Sequence, residues 1–137
     1  MHSARLRAHA GTAAAFLGVV PDLRPLYGAA RIFIAPTRFA AGLPQKVYEA
    51  AAHGVPVVLT PLLARSLGWS NEVEALVAET EREWIEAIER LTTDRDLWLR
   101  LRDSALRAVR DAVAPAAFAR SVREVLAGAV SATAVRR

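Results

Sequence analysis

From Ala13 to Ala78, short uninterrupted apolar runs alternate with segments whose apolar residues recur at helical spacing. From Thr80 onward only the helical spacing continues. The apolar runs are Ala13 to Leu17, Arg31 to Ala35, Val55 to Leu59 and a weak Ala75 to Ala78. Runs this short, without polar alternation, fit strands buried on both faces of a parallel sheet. The first run is poor by propensity, with three alanines and no β-branched residue. Between the runs, Pro21 to Ala30 and Pro44 to His53 each open with a proline, and the second ends at Gly54. Proline suits a first helical turn and glycine a helix end, so both segments predict crossover helices of βαβ units.

After the last run, Thr80 and Glu83 form a capping-box pattern ahead of Trp84, Ile85, Ile88 and Leu91, which predicts a helix from Glu81 to about Leu91. Thr93 is the expected cap of a second helix, with Trp98, Leu101, Ala105, Ala108 and Ala112 on one stripe and Asp96 and Arg100 as an i,i+4 ion pair. Pro115 interrupts, and Phe118, Val122, Val125 and Leu126 mark a third helix before a tail that frays after Ala129. The expected class is α/β, with a parallel sheet and flanking helices followed by carboxyl-terminal helices. The expected division is a domain over 13–112 and a final helix and tail over 113–137.

Composition narrows what this architecture does. At 137 residues, 53% hydrophobic and 23% charged, the chain has the length and apolar content of one globular domain. It has no cysteine, which removes disulfides, thiolate metal sites and a thiol nucleophile. No apolar run reaches the roughly eighteen residues of a membrane span, and the first residues lack a signal peptide's apolar core. A cytoplasmic protein is expected. The net charge of +4 suits an anionic partner, whether a nucleotide diphosphate, a nucleic acid or an acidic membrane face. Lys46 is the only lysine among eighteen basic residues.

The chemistry concentrates in Ala35-Pro36-Thr37-Arg38-Phe39-Ala40-Ala41-Gly42-Leu43-Pro44-Gln45-Lys46-Val47-Tyr48-Glu49-Ala50, which runs from a strand end through a loop into a helix. In open α/β sheets ligands bind outside the carboxyl ends of the strands, and a helix amino terminus offers N–H groups and partial positive charge to a phosphate. Lys46 and Glu49, three residues apart, share a helix face. They suit either a phosphate and a ribose or an ordinary surface ion pair. His53 fits a helix end better than a metal ligand, having no partner at ligand spacing. Trp69 fits either a base or sugar contact or a covering hydrophobic role. No Ser-His-Asp or Cys-His arrangement is legible.

The succession Gly18-Val19-Val20-Pro21-Asp22-Leu23, Leu26-Tyr27, Ile34-Ala35-Pro36, Arg38, Gly42, Lys46, Glu49-Ala50, Gly54-Val55-Pro56-Val57-Val58 and Thr60 resembles the carboxyl-terminal, donor-binding half of GT-B-type retaining glycosyltransferases. The likeness covers most of Phe16 to Asp111. It implies a partial Rossmann-like sheet and sugar transfer from a nucleoside diphosphate, of hexosyltransferase type. The resemblance further implies retention of configuration, with no essential metal, no cofactor beyond the donor and no settled enzyme nucleophile. Glu49 matches the motif's second glutamate, which binds the ribose. Gly42 and Leu43 match the loop facing diphosphate and sugar, and Arg38 and Lys46 match its basic positions. The implied partners are the nucleotide sugar and, through an amino-terminal domain, an acceptor glycan, lipid or small molecule.

Two departures stand against the pattern. The motif's first glutamate, eight residues before the second, is Ala41 here. The basic βαβ region that opens the family's donor domain has no counterpart before Ala13. The resemblance thus implies a donor domain cut short at its amino end, inactive alone and prone to association through an open sheet edge. Three readings follow in order: a donor-binding transferase half, a truncated non-catalytic nucleotide-binding or interaction module, and a nucleic-acid binder using the arginine-rich helices. The last ranks lowest because acidic residues intersperse those arginines, and no nucleic-acid partner is expected.

Overall fold

The computed structural model describes residues 14–39, 42 and 44–114. Within them the order is α1 (Arg24–Ala29), β1 (Phe33–Ala35), α2 (Gln45–Ala52), β2 (Val57–Leu59), α3 (Pro61–Leu67), β3 (Leu76–Val77), α4 (Glu81–Thr93) and α5 (Arg95–Val113). The strands form one parallel sheet in the order β1-β2-β3. Phe33 pairs with Val57 and Ala35 with Leu59, and Val58 pairs with Leu76. This is the expected α/β class.

β2 shows why its sequence is a continuous apolar run. Val57, Val58 and Leu59 are all fully buried, and alternate residues serve opposite faces of the sheet. Val57 and Leu59 join Tyr27, Val47, Ala50, Leu63 and Trp69 on one side. Val58 joins Leu76, Ala87, Leu91, Leu97 and Leu101 on the other. The long helix α5 serves both layers, giving Leu97 and Leu101 to the second and Ala105 and Val109 to the first. Burial of each leucine in these clusters contributes about 1.5–3 kcal/mol.

Local chemistry sets the helix ends. The Thr80 hydroxyl accepts from the Glu83 N–H at 3.3 Å while a Glu83 carboxylate oxygen accepts from the Thr80 N–H at 2.9 Å, completing the expected capping box. α2 ends in a reversal where Gly54, at φ +73, donates to Ala51 O at 2.9 Å and Val55 donates to Ala50 O at 3.0 Å. That Schellman arrangement turns the chain directly into β2. At the same end of the sheet, the Trp98 indole donates to Arg31 O at 2.8 Å and Arg31 donates to Thr92 O at 3.0 Å, tying α4 and α5 to the entry of β1.

Several expectations need correction. Residues 14–17 are exposed irregular chain rather than a strand, since alanines offer little to pack on a pleated surface. α3 was not anticipated, although Thr60 and Pro61 supply its N-cap and first residue. Asp94, not Thr93, caps α5, accepting from the Leu97 N–H at 2.9 Å. The Thr93 hydroxyl is already committed, donating to Glu89 O at 2.7 Å inside α4. Asp96 and Arg100 form no ion pair, and the buried stripe of α5 is Leu97, Leu101, Ala105 and Val109, with Ala112 exposed. The third helix expected around Phe118 to Leu126 lies outside the described residues.

Candidate functional site

All three strands are parallel, so the loops that follow them leave from one edge of the sheet. Pro36, Thr37 and Arg38 follow β1, Thr60 and Pro61 follow β2, and Glu79 and Glu81 follow β3 closely. A cavity of about 560 Å³ lies there, lined by these residues together with Leu62, Arg65 and Trp84. Its position is the one that open α/β sheets use for ligands. The volume falls within the usual range for small-molecule pockets.

Thr60 shapes this edge. Its hydroxyl donates to Thr37 O at 3.0 Å and accepts from the Leu63 N–H at 3.4 Å. One side chain thereby caps α3 and fastens the loop that carries Arg38 against it. Among the described residues neither the Arg38 nor the Arg65 side chain makes a hydrogen bond or ion pair; the ion pairs are Asp22–Arg24, Glu72–Arg90, Arg82–Glu86 and Arg102–Asp103. The side chains of Glu79 and Glu81 are likewise uncommitted, and the Glu79 backbone N–H donates to a Glu83 carboxylate oxygen at 2.8 Å. Glu83 does not face the cavity. The backbone N–H of Thr80, then that of Glu79, holds its carboxyl below the usual carboxylate range.

The sequence-expected residues distribute unevenly. Arg38 lines the cavity; Gly42, Lys46 and Glu49 do not, and all four are exposed. Leu43 lies outside the described residues, as does Ala41. Lys46 stands in the first turn of α2, a turn with no acidic residue and no capping side chain. It does not pair with Glu49. Glu49 instead accepts from the Tyr27 hydroxyl at 3.3 Å. Tyr27 is 8% exposed, and burial, then the neighbouring Glu49 carboxylate, pushes its phenol above the ordinary tyrosine value. The Tyr27 ring also stacks on His53, with centroids 5.0 Å apart. His53 is the C-cap of α2, its Nδ1 lying 2.8 Å from Glu49 O.

Trp69 resolves to its covering role. It is 8% exposed and meets Tyr48 edge-on at 6.1 Å within the core. Among the described residues, no group of three or more His, Asp or Glu side chains is placed to hold a metal ion. No described helix is long and apolar enough to cross a membrane. Sequence reasoning did not place Arg65, Glu79, Glu81 and Trp84 at the site, and it named Thr60 only as part of the resemblance. Thr60, Glu79, Glu81 and Trp84 follow a strand end or open the helix after it, which is the signal that identifies them, whereas Arg65 stands in the last turn of α3.

No curated protein matches the chain. The sequence profile of the family described as glycosyl transferases group 1 matches residues 2–94, about two thirds of the chain, and that stretch holds every residue lining the cavity. The chain belongs to the group 1 glycosyl transferases.

Proposed function

We propose that this chain is the donor-binding part of a GT-B-type glycosyltransferase, taking a nucleoside-diphosphate sugar at the carboxyl edge of the sheet for transfer with retention of configuration. The observation that carries this reading is the cavity itself, which sets two uncommitted guanidinium groups, Arg38 and Arg65, beside the strand ends in a family whose substrates are sugars. Arginine presents a planar fork of donors that matches phosphate oxygens. As the bond between the sugar's anomeric carbon and the diphosphate breaks, negative charge grows on the leaving diphosphate. Fixed cations at that place lower the barrier.

Lys46 and the uncapped first turn of α2 add positive potential next to the loop holding Gly42. Glu49, one turn deeper, accepts the ribose hydroxyls, and its bond from Tyr27 holds the carboxylate in place. An acceptor glycan, lipid or small molecule is bound by another domain. The test is nucleotide affinity by titration calorimetry. Glu49→Ala should lose nucleoside diphosphate binding while circular dichroism stays that of the parent, and unchanged affinity sinks the assignment. A non-catalytic nucleotide-binding module is the second reading, favoured by Ala41 at the position where the resembled pattern has a sugar-contacting glutamate. Turnover of a nucleotide sugar in the presence of an acceptor domain excludes it.

A further inference from the structure

The cavity is not uniformly basic, and its charges are sorted by strand. Arg38 follows β1 and Arg65 lies on the helix that follows β2, whereas Glu79 and Glu81 follow β3 and Trp84 stands in the first turn of the next helix. Because the sheet runs β1-β2-β3, the cationic wall and the anionic wall stand at opposite ends of the same space. Adjacent strands lie about 4.8 Å apart, so the ends of β1 and β3 are separated by about 10 Å. That separation accommodates a phosphate and a sugar ring joined end to end.

The four charges do not neutralise one another across the cavity. Neither arginine pairs with either glutamate, and none of the four makes a side-chain hydrogen bond among the described residues. A plain phosphate would gain from the arginines and be repelled by the carboxylates. A neutral polyol would leave the arginines unused. A ligand with an anionic end and a hydroxyl-rich end satisfies both walls, since an ionised carboxylate is an acceptor only and takes hydroxyl donors on both oxygens. The indole of Trp84, half-buried and packed on the second core cluster, contributes an apolar wall on the carboxylate side. Such a surface suits the carbon-bound hydrogens of a sugar ring.

We infer that the glycosyl-phosphate portion of the donor lies lengthwise in this cavity, its phosphate against Arg38 and Arg65 and its sugar hydroxyls against Glu79 and Glu81 beside Trp84. Glu79 and Glu81 are thereby specificity-determining residues for the sugar. The inference rests on the donor-binding reading above and adds to it the residues that recognise the sugar.

The test separates the two. Calorimetry on the full chain compares UDP with UDP-glucose, GDP with GDP-mannose and ADP with ADP-glucose, and identifies the base that binds. The readout is the ratio of affinities for the sugar-bearing and bare forms of that nucleotide. The doubly substituted chain, Glu79→Gln with Glu81→Gln, should shift this ratio against the sugar-bearing form by about tenfold, the loss expected when charge-assisted hydrogen bonds become neutral ones. Arg65→Ala should weaken both forms together. Both glutamates are exposed, so the fold tolerates the exchange, and a parental thermal melt verifies that. A nucleotide that binds with a ratio unchanged within about twofold in the double variant overturns the inference alone. Failure of every nucleotide to bind the parent chain overturns the donor-binding reading and this inference with it.

Discussion

Two glycines end two helices in the same way, and replacing each by alanine separates backbone strain from side-chain crowding. Gly54 has φ +73 and Gly68 has φ +68, both in the left-handed region. Around Gly68 the Trp69 N–H donates to Ala64 O at 2.9 Å and the Gly68 N–H to Arg65 O at 3.2 Å, the same pair of reversed bonds that surrounds Gly54. An alanine in this conformation is strained by about 1–2 kcal/mol, offset by about 0.4–1 kcal/mol from the lower entropy of its unfolded chain. The net cost common to both sites is therefore about 1 kcal/mol.

The sites differ in what the new methyl group meets. At Gly68 there is nothing within 4 Å, whereas at Gly54 the methyl would stand 3.0 Å from Arg102 Nε. Arg102 can move, because its one ion pair, to Asp103 at 3.0 Å, is solvent-accessible and worth about 0–1 kcal/mol. Gly54→Ala should thus cost about 1–2 kcal/mol and Gly68→Ala about 1 kcal/mol, read from urea unfolding followed by helix circular dichroism. For a domain of this size each kcal/mol lowers the melting temperature by about 3–5 °C. Adding Arg102→Ala to Gly54→Ala should abolish the excess. If Gly68→Ala proves as costly as Gly54→Ala, or if neither substitution destabilises, the account of both helix ends is wrong.

Two further outcomes follow from the same geometry. Tyr27→Phe removes the 3.3 Å bond to Glu49 and should lower stability by about 0.5–1.5 kcal/mol in urea unfolding, with the ring packing preserved; an unchanged midpoint would mean that the bond contributes nothing. Glu83, whose carboxyl is depressed in the folded chain first by the Thr80 N–H and then by that of Glu79, stabilises the fold above the ordinary carboxylate range and loses that contribution as pH falls through its folded value. Parent and Glu83→Gln melts should therefore converge as the pH is lowered into that range, and a constant gap refutes the capping box as its source.

The fold was legible where sequence alone decides burial. Val55 to Leu59 is apolar at every position because β2 lies between two helical layers, and its shortness and β-branched valines fit a buried strand. The capping box was legible because both of its partners lie within three residues. What failed depended on competition between neighbours. Thr93 and Asp94 are both good caps, and only the turn preceding them shows that the threonine hydroxyl is bound to Glu89. The run from Ala13 was apolar enough for a strand but had no β-branched residue to hold one, and residues 14–17 are irregular.

The site was half legible for a topological reason. Attention to Arg38, Gly42, Leu43, Lys46 and Glu49 followed a single strand-to-helix passage, the one after β1. In a sheet whose strands are all parallel, every strand-to-helix passage opens on the same edge, so residues far apart in sequence converge there without any motif linking them. Arg38, Thr60 and Glu81 are such residues, brought to one cavity by strand direction. The same rule at β2 and β3 points to Thr60 and Pro61 and to Glu79 and Glu81 from the order of elements alone. The side-chain reach of Arg65 and Trp84 is different, because it depends on which face of α3 and α4 turns toward the edge. Whether the cavity reads a sugar is therefore decided by helix rotation as much as by composition, and the exchange of Glu79 and Glu81 for glutamine probes the part of that wall that topology fixes.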